Sequence, residues 1–269
     1  MTALIDADSM IYIIAWNHKD SSSKVDVENT CDDFVRCILG LTQSDTYIGV
    51  FSPKECFRHR DYKYNNYKGQ RPDKPEWYTK WEQVIKDYLC NRWGFFVAQD
   101  LEADDIVSAL ADGGCFSDCV ICSPDKDLRQ VPGLHFDYKK QDLGIVSVSY
   151  DEACDNLWLQ MLTGDDSDNV NGVPGLGPVK AKALLNSIEL PGLQTPSTVK
   201  AAYVKYFGTH YGPIIFYETM RTLQLMSPNH EYWNLYAEYI HSLKDKLQHF
   251  DLNNISGTAF ENVFASLGQ

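Results

Sequence analysis

The chain is predicted to be an α/β protein built on a largely parallel sheet, with a helical lobe after it. Three features predict this. Short apolar runs with strand character alternate with stretches of helical periodicity, the pattern of a parallel sheet with crossover helices. Several of those runs end in acidic residues, as at the carboxyl rim of such a sheet. A Gly175-Leu176-Gly177 turn then separates two apolar helical patterns, which reads as a helix–hairpin–helix.

The 269 residues, 44% of them hydrophobic, suffice for one large domain with an appended lobe. We place the α/β domain at residues 1–155 and the lobe at 156–269. The formal net charge of -13 argues against a nucleic-acid binder, but patches decide binding. The eight cysteines form no pair of CxxC knuckles, so they are read as reduced and mostly buried, without a structural zinc site. No apolar run approaches the roughly 20 residues of a membrane span, and a soluble, intracellular protein is expected.

Taken in order, Thr2–Asp8 reads as a buried strand whose period of two puts Asp6 and Asp8 on one face. A helical run, Met10–Trp16, follows. Residues 20–24 read as a loop, Val27–Leu41 as an amphipathic helix and Tyr47–Phe51 as the second strand.

Residues 54–92 differ in charge: ten basic against six acidic residues, a net +4, which leaves -17 on the rest. Phe57, Tyr62, Tyr64, Tyr67, Trp77, Tyr78 and Trp81 are interleaved with Arg58, Lys68, Arg71 and the other cations. Such residues can neutralise phosphates and stack on bases. The plainer reading is a solvated helical face with core aromatics.

Phe95–Val97 reads as a short strand. Glu102, Asp104 and Asp105 follow on the first turn of a helix, where the dipole favours carboxylates. Cys119–Ser123 is a buried strand followed by Asp125 and Asp127. Leu134–Tyr138 and Ile145–Tyr150 are short strands, and Leu157–Leu162 is helical. Asp165 and Asp168 precede the glycine turn, whose backbone can approach a phosphate closely, with Lys180 and Lys182 opening the next helix. From residue 191 onward the chain reads as helical and aromatic, with no chemistry assigned. No Walker loop supports nucleotide hydrolysis.

So many anions at one rim cannot converge uncompensated. Oxygen donors select hard cations, Mg²⁺ or Mn²⁺. A pair of such ions hydrolyses phosphodiesters.

The motifs Leu4-Ile5-Asp6, Phe57-Arg58-His59, Tyr67-Lys68-Gly69-Gln70-Arg71, Glu102-Ala103-Asp104-Asp105, Ser123-Pro124-Asp125-Lys126-Asp127-Leu128 and Thr163–Asn169 with the hairpin occur in this order. Together they resemble the flap endonuclease / 5′–3′ exonuclease family, and the compact middle region looks most like its bacteriophage members. The resemblance implies a PIN-like domain, a helical arch at about residues 54–92, and metal-dependent hydrolysis of DNA at 5′ ends, flaps and branch junctions. It implies a monomer acting in replication or repair, in the host cytoplasm if viral. Asp6, Glu102 and Asp104 would serve a first metal, with Asp105 adjacent; Asp125, Asp127 and Asp168 would serve a second, with Asp165 close by. Lys68 and Arg71, three apart on a helix, would contact the scissile phosphate, and Tyr67 would stack on a base. Arg58, Lys180 and Lys182 would hold DNA, and the carbonyls of Gly175-Leu176-Gly177 would hold a K⁺ ion.

One departure stands out. Where the family carries an aspartate after its second strand, this chain has Ser52-Pro53. Ser52, Asp8 or a water could substitute. Two other readings compete. Asp6-Ala7-Asp8 with Gly164-Asp165 fits a haloacid-dehalogenase-like phosphatase but leaves the other acids unexplained. A branched-DNA-binding protein with weak or no nuclease activity fits the Ser52 departure.

Overall fold

The structure is a computed structural model and describes residues 1–20, 23–116 and 118–254. The loop expected at residues 20–24 therefore lies partly outside the described residues. Strand β1, Thr2–Asp6, is buried along its whole length. It runs parallel to β2, Thr46–Phe51, on one side and to β4, Cys119–Cys122, on the other. Helices α1, Asp8–Asn17, and α2, Lys24–Thr42, connect β1 to β2. Helices α3, Phe57–Asp61, and α4, Glu76–Trp93, lead to β3, Phe96–Val97, which pairs parallel to β2. Helix α5, Ala103–Asp112, returns to β4. Strand β5, Gly133–Phe136, is parallel to β4, and β6, Ile145–Val148, is antiparallel to β5. The order β3-β2-β1-β4-β5-β6 reverses direction at β1, which opens a crevice at the carboxyl ends of β1 and β4.

Both faces of this sheet are covered, so its strands are continuous apolar runs. Ala3, Ile5, Tyr47 and Phe51 pack on one side against α1, α2 and α4. Leu4, Ile48 and Val50 pack on the other against α5. Local chemistry sets the helix starts. Ser23 and Asp26 cap α2 reciprocally, and Ser149 and Glu152 do the same for the next helix, α6, Tyr150–Thr163.

The lobe has its own core of Met161, Leu162, Val170, Val199, Tyr203 and Phe216. A tight two-stranded turn, β7 Gly164–Asp165 and β8 Val170–Asn171, precedes α7, Pro178–Asn186. Here the backbones of Gly164 and Gly172 touch. A Cβ on either would come within 2.4 Å of the other's backbone nitrogen, and Gly164 also has φ +79°. Helix α8, Thr195–Leu223, is broken at Gly208, and α9, Trp233–Ser242, packs on α5. Strand β9, Gln248–His249, adds to β2. No helix among the described residues is long and apolar enough to cross a membrane.

Three expectations need correction. Asp8 is not in β1: the strand ends at Asp6 and Asp8 opens α1. The expected division at residue 155 falls inside α6. The expected helical arch is not helical over residues 62–75, where Asn65, Asn66, Gly69, Pro72 and Pro75 break the periodicity. The second half of the expected arch, α4, buries one face in the core. Trp81, Ile85, Leu89 and Trp93 recur every four residues and are buried on the α1/α2 side.

Among the eight cysteines, all free, four are buried and four partly so.

Candidate active site at the carboxyl edge of the sheet

Asp6 ends β1 and is 4% exposed. Its carboxylate accepts hydrogen bonds from the Ser123 hydroxyl at 2.8 Å and the Asp8 amide at 3.1 Å. Asp8 accepts from the Ser52 amide at 3.0 Å, and the Ser52 hydroxyl accepts from the Ala103 amide at 2.8 Å. One chain of contacts thus joins the ends of β1 and β2 to the start of α5. Beyond β4, Ser123 Oγ accepts from the Asp125 amide at 3.0 Å, and Asp125 accepts from the Asp127 amide at 2.9 Å. Asp6 makes no ion pair among the described residues. Burial, with the charges of Asp8 and Asp125, pushes it up to about 7.

The start of α5 is arranged differently. Glu102 is its N-cap, and the Glu102 amide donates to Asp105 at 3.1 Å. Lys68 Nζ pairs with Glu102 and lies 3.8 Å from Asp168. The Tyr67 hydroxyl lies 2.6 Å from Glu102 and 2.9 Å from Asp168. Burial would raise Glu102, but Lys68 and Arg58 outweigh it and hold the carboxyl at about 2. Asp104 has no such partner among the described residues; burial beside Asp105 and Glu102 pushes it well above the usual carboxylate range.

Four site expectations fail here. Arg58, expected at DNA, is 2% exposed and grips fully buried Asp105 through both terminal guanidinium nitrogens, one of them at 2.8 Å. Its Nε also donates to the Thr222 carbonyl at 2.7 Å. Asp105, expected beside a metal, is therefore tied to Arg58 and to the Met226 amide at 3.1 Å. Tyr67 is 5% exposed and its hydroxyl is among carboxylates, so it is not placed to stack on a base. Lys68 and Arg71 lie on a turn, with Lys68 at φ +55°, rather than on one helix face. They still converge: Arg71 reaches Asp168 at 2.6 Å. The loop carrying them is anchored by Asn65 on Asn169 at 2.9 Å and by the Tyr64 amide on Glu218 at 2.5 Å.

The remaining acids cluster between β4 and the lobe. Asp165 is 2% exposed and accepts from Lys126 at 2.8 Å and from the Ser167 amide at 2.8 Å. Burial would raise it, but these bonds hold it at about 2. Burial and the charges of Asp125 and Asp165 push Asp127 up to about 7. Gln160 donates to both Asp127 and Asp165, at 2.9 and 3.0 Å. Gly175, at φ +84°, and Gly177 face open space, and Lys180 Nζ donates to the Gly175 carbonyl at 3.3 Å. Lys180 and Lys182 are exposed.

The structure thus brings Asp6, Glu102, Asp104, Asp125, Asp127, Asp165 and Asp168 to one edge from widely separated segments. As the side chains stand, no three His, Cys, Asp or Glu among the described residues close on one ion. Lys68, Arg71 and Lys126 lie among them instead. The donor set nevertheless fits a hard divalent cation. It is all carboxylate oxygen, and Asp6 is buried without a compensating charge among the described residues. Sequence reading missed Gln160, Gln130 and Glu218, because an amide or a carboxylate on a helix face has no chemical signature of its own.

Residues 1–151 match the family model described as the 5′-3′ exonuclease, N-terminal resolvase-like domain. Among curated relatives, DNA polymerase I of Deinococcus radiodurans is 29% identical over 61% of this chain, which spans 18% of that polymerase. Flap endonuclease Xni of Shewanella amazonensis is 29% identical over 53% of this chain and 60% of its own length. The Xni of Pseudoalteromonas translucida is 28% identical over 68% of this chain and 77% of its own length. Among solved structures, a bacteriophage T5 flap endonuclease in a pseudo-enzyme-product complex with DNA and metal ions matches with a TM-score of 0.55 at 15% identity. That match covers 100% of both chains. A zinc-bound T5 5′-exonuclease gives a TM-score of 0.56 at 15% identity, covering 98% of this chain and 99% of its own. These two likenesses concern the fold.

Proposed function

We propose, from the premise that this chain belongs to the 5′-3′ exonuclease family, that it is a metal-dependent nuclease hydrolysing DNA phosphodiesters at 5′ ends and flaps. The observation that carries this reading is the convergence of carboxylates from the ends of β1 and β4, the start of α5 and the turn after α6 at the crevice where strand order reverses. Asp6, Glu102 and Asp104 would hold one divalent cation, and Asp125, Asp127 and Asp168 a second. Bound there, Mg²⁺ or Mn²⁺ supplies an activated water and neutralises charge on the phosphodiester.

The chain's own residues orient and hold the substrate. Lys68, 19% exposed at its side chain, would turn from Glu102, and Arg71, 53% exposed, from Asp168, to reach a phosphate. Such a cation stabilises charge that develops in the transition state. Tyr67 keeps Glu102 and Asp168 together from beneath. Exposed Lys180 and Lys182, with the open backbone at Gly175 and Gly177, would grip duplex phosphates away from the scissile bond. K⁺ at the hairpin would share the Gly175 carbonyl with Lys180. The role in replication or repair follows from the same reading.

The test is cleavage of a labelled 5′-flap duplex in Mg²⁺ or Mn²⁺ against EDTA. Asp6→Asn and Asp125→Asn are expected to abolish cleavage while retaining flap binding in Ca²⁺, since loss of an anion does not weaken attraction to phosphate. Full cleavage by either variant, or by the wild type in EDTA, overturns the reading.

A further inference from the structure

We infer that Gln160 is a positioning residue: a neutral bridge that sets the spacing of Asp127 and Asp165, held in register by Gln130 and the end of α8. The inference rests on the metal-dependent reading above.

The polarity of the bridge follows from its far end. The Leu223 carbonyl can only accept and the Leu225 amide can only donate. Gln130 Nε2 lies 3.0 Å from the former and Gln130 Oε1 lies 3.4 Å from the latter. Gln130 therefore presents its NH₂ to Gln160, 2.7 Å from Gln160 Oε1. Gln160 is left with its own NH₂ toward the acids, one hydrogen for Asp127 at 2.9 Å and one for Asp165 at 3.0 Å. The flipped amide of Gln160 would set its oxygen against two carboxylates and its NH₂ against the NH₂ of Gln130.

The two bridged acids come from different elements, the loop after β4 and the turn after α6, 38 positions apart. Lys126 also touches Asp165, but its side chain is 72% exposed and its charge would oppose an arriving cation. An uncharged donor orients the carboxylates without neutralising them, which suits a site meant to receive a metal ion. The brace ends on Leu223 and Leu225, beside Thr222, which takes Arg58, and Met226, which donates to Asp105. One stretch of lobe backbone thus steadies acids on both sides of the crevice.

The test is Mn²⁺ binding to the full chain, followed by electron paramagnetic resonance, with thermal unfolding measured in parallel. Gln160→Met keeps the size of the side chain and removes both polar ends. It is expected to weaken Mn²⁺ binding at least about tenfold with the unfolding midpoint kept. Flap cleavage is expected to recover as Mg²⁺ is raised. Gln130→Met, which acts through Gln160, is expected to show a smaller loss. The double variant is expected to be no weaker than Gln160→Met alone, since coupled residues are not additive. Should Gln160→Met not fold, Gln130→Met carries the measurement. Wild-type Mn²⁺ affinity in the folded variants, or additive losses, overturns the positioning role. Absence of Mn²⁺ binding by the wild type overturns the metal reading itself.

Discussion

The start of α5 and the end of β1 form the two sides of one crevice, yet they treat buried acids in opposite ways. At α5, Asp105 is clasped by Arg58 and Glu102 is held by Lys68, Tyr67 and Arg58. Lys68 and Arg58 keep the Glu102 carboxyl ionised. At β1, Asp6 is nearly as buried but meets Ser123, a backbone amide and other acids. The Arg58–Asp105 contact is a finished ion pair and serves the fold. The second arrangement lacks a positive charge among the described residues, which an external cation would supply. Burial of acids is therefore a poor guide to function until their partners are counted.

The largest test of this contrast removes the finished pair. Arg58→Met leaves Asp105 buried and uncompensated and takes a donor from the Thr222 carbonyl. It is expected to lower the unfolding free energy by about 3–5 kcal/mol, measured by urea denaturation. A loss below 1 kcal/mol would place the pair among weak surface contacts and erase the contrast.

Asp6 supplies the next test, in EDTA. Its folded pKa of about 7 lies above the unfolded value near 3.8. Between these values the folded state binds more protons than the unfolded one, so stability falls as pH rises from 4 through 7. Asp6→Asn is expected to remove about 1.4 kcal/mol per pH unit of that slope in unfolding curves at pH 5 and 7. An unchanged slope would show that Asp6 is already compensated.

The smallest effect belongs to the hinge between the two sides. Ser52 Oγ accepts from the Ala103 amide at the first turn of α5. Ser52→Ala is expected to cost about 1 kcal/mol in chemical denaturation, with Asp8 still anchored on the residue-52 amide. A much larger loss of stability would mean that the hydroxyl does more than hold the helix start.

Much of this architecture was legible. Continuous apolar runs announced buried parallel strands, and acids after β1 and β4 announced a populated rim. Two errors were also legible in principle. Asn65-Asn66, Gly69, Pro72 and Pro75 argued against a helix through residues 62–75, and the four-residue spacing of Trp81, Ile85, Leu89 and Trp93 argued for a core helix.

By itself the sequence determined the α/β layering, the helix caps and the supply of carboxylates at the strand ends, because those depend on periodicity and on residues a few places apart. The tertiary structure decided which acids find a cation. Arg58 meets Asp105 across 47 positions and the Thr222 carbonyl across 164, and Gln130 meets Leu223 across 93. An acid's charge state is set by its burial and by neighbours within a few ångströms, and which residues become those neighbours is settled only when distant segments pack.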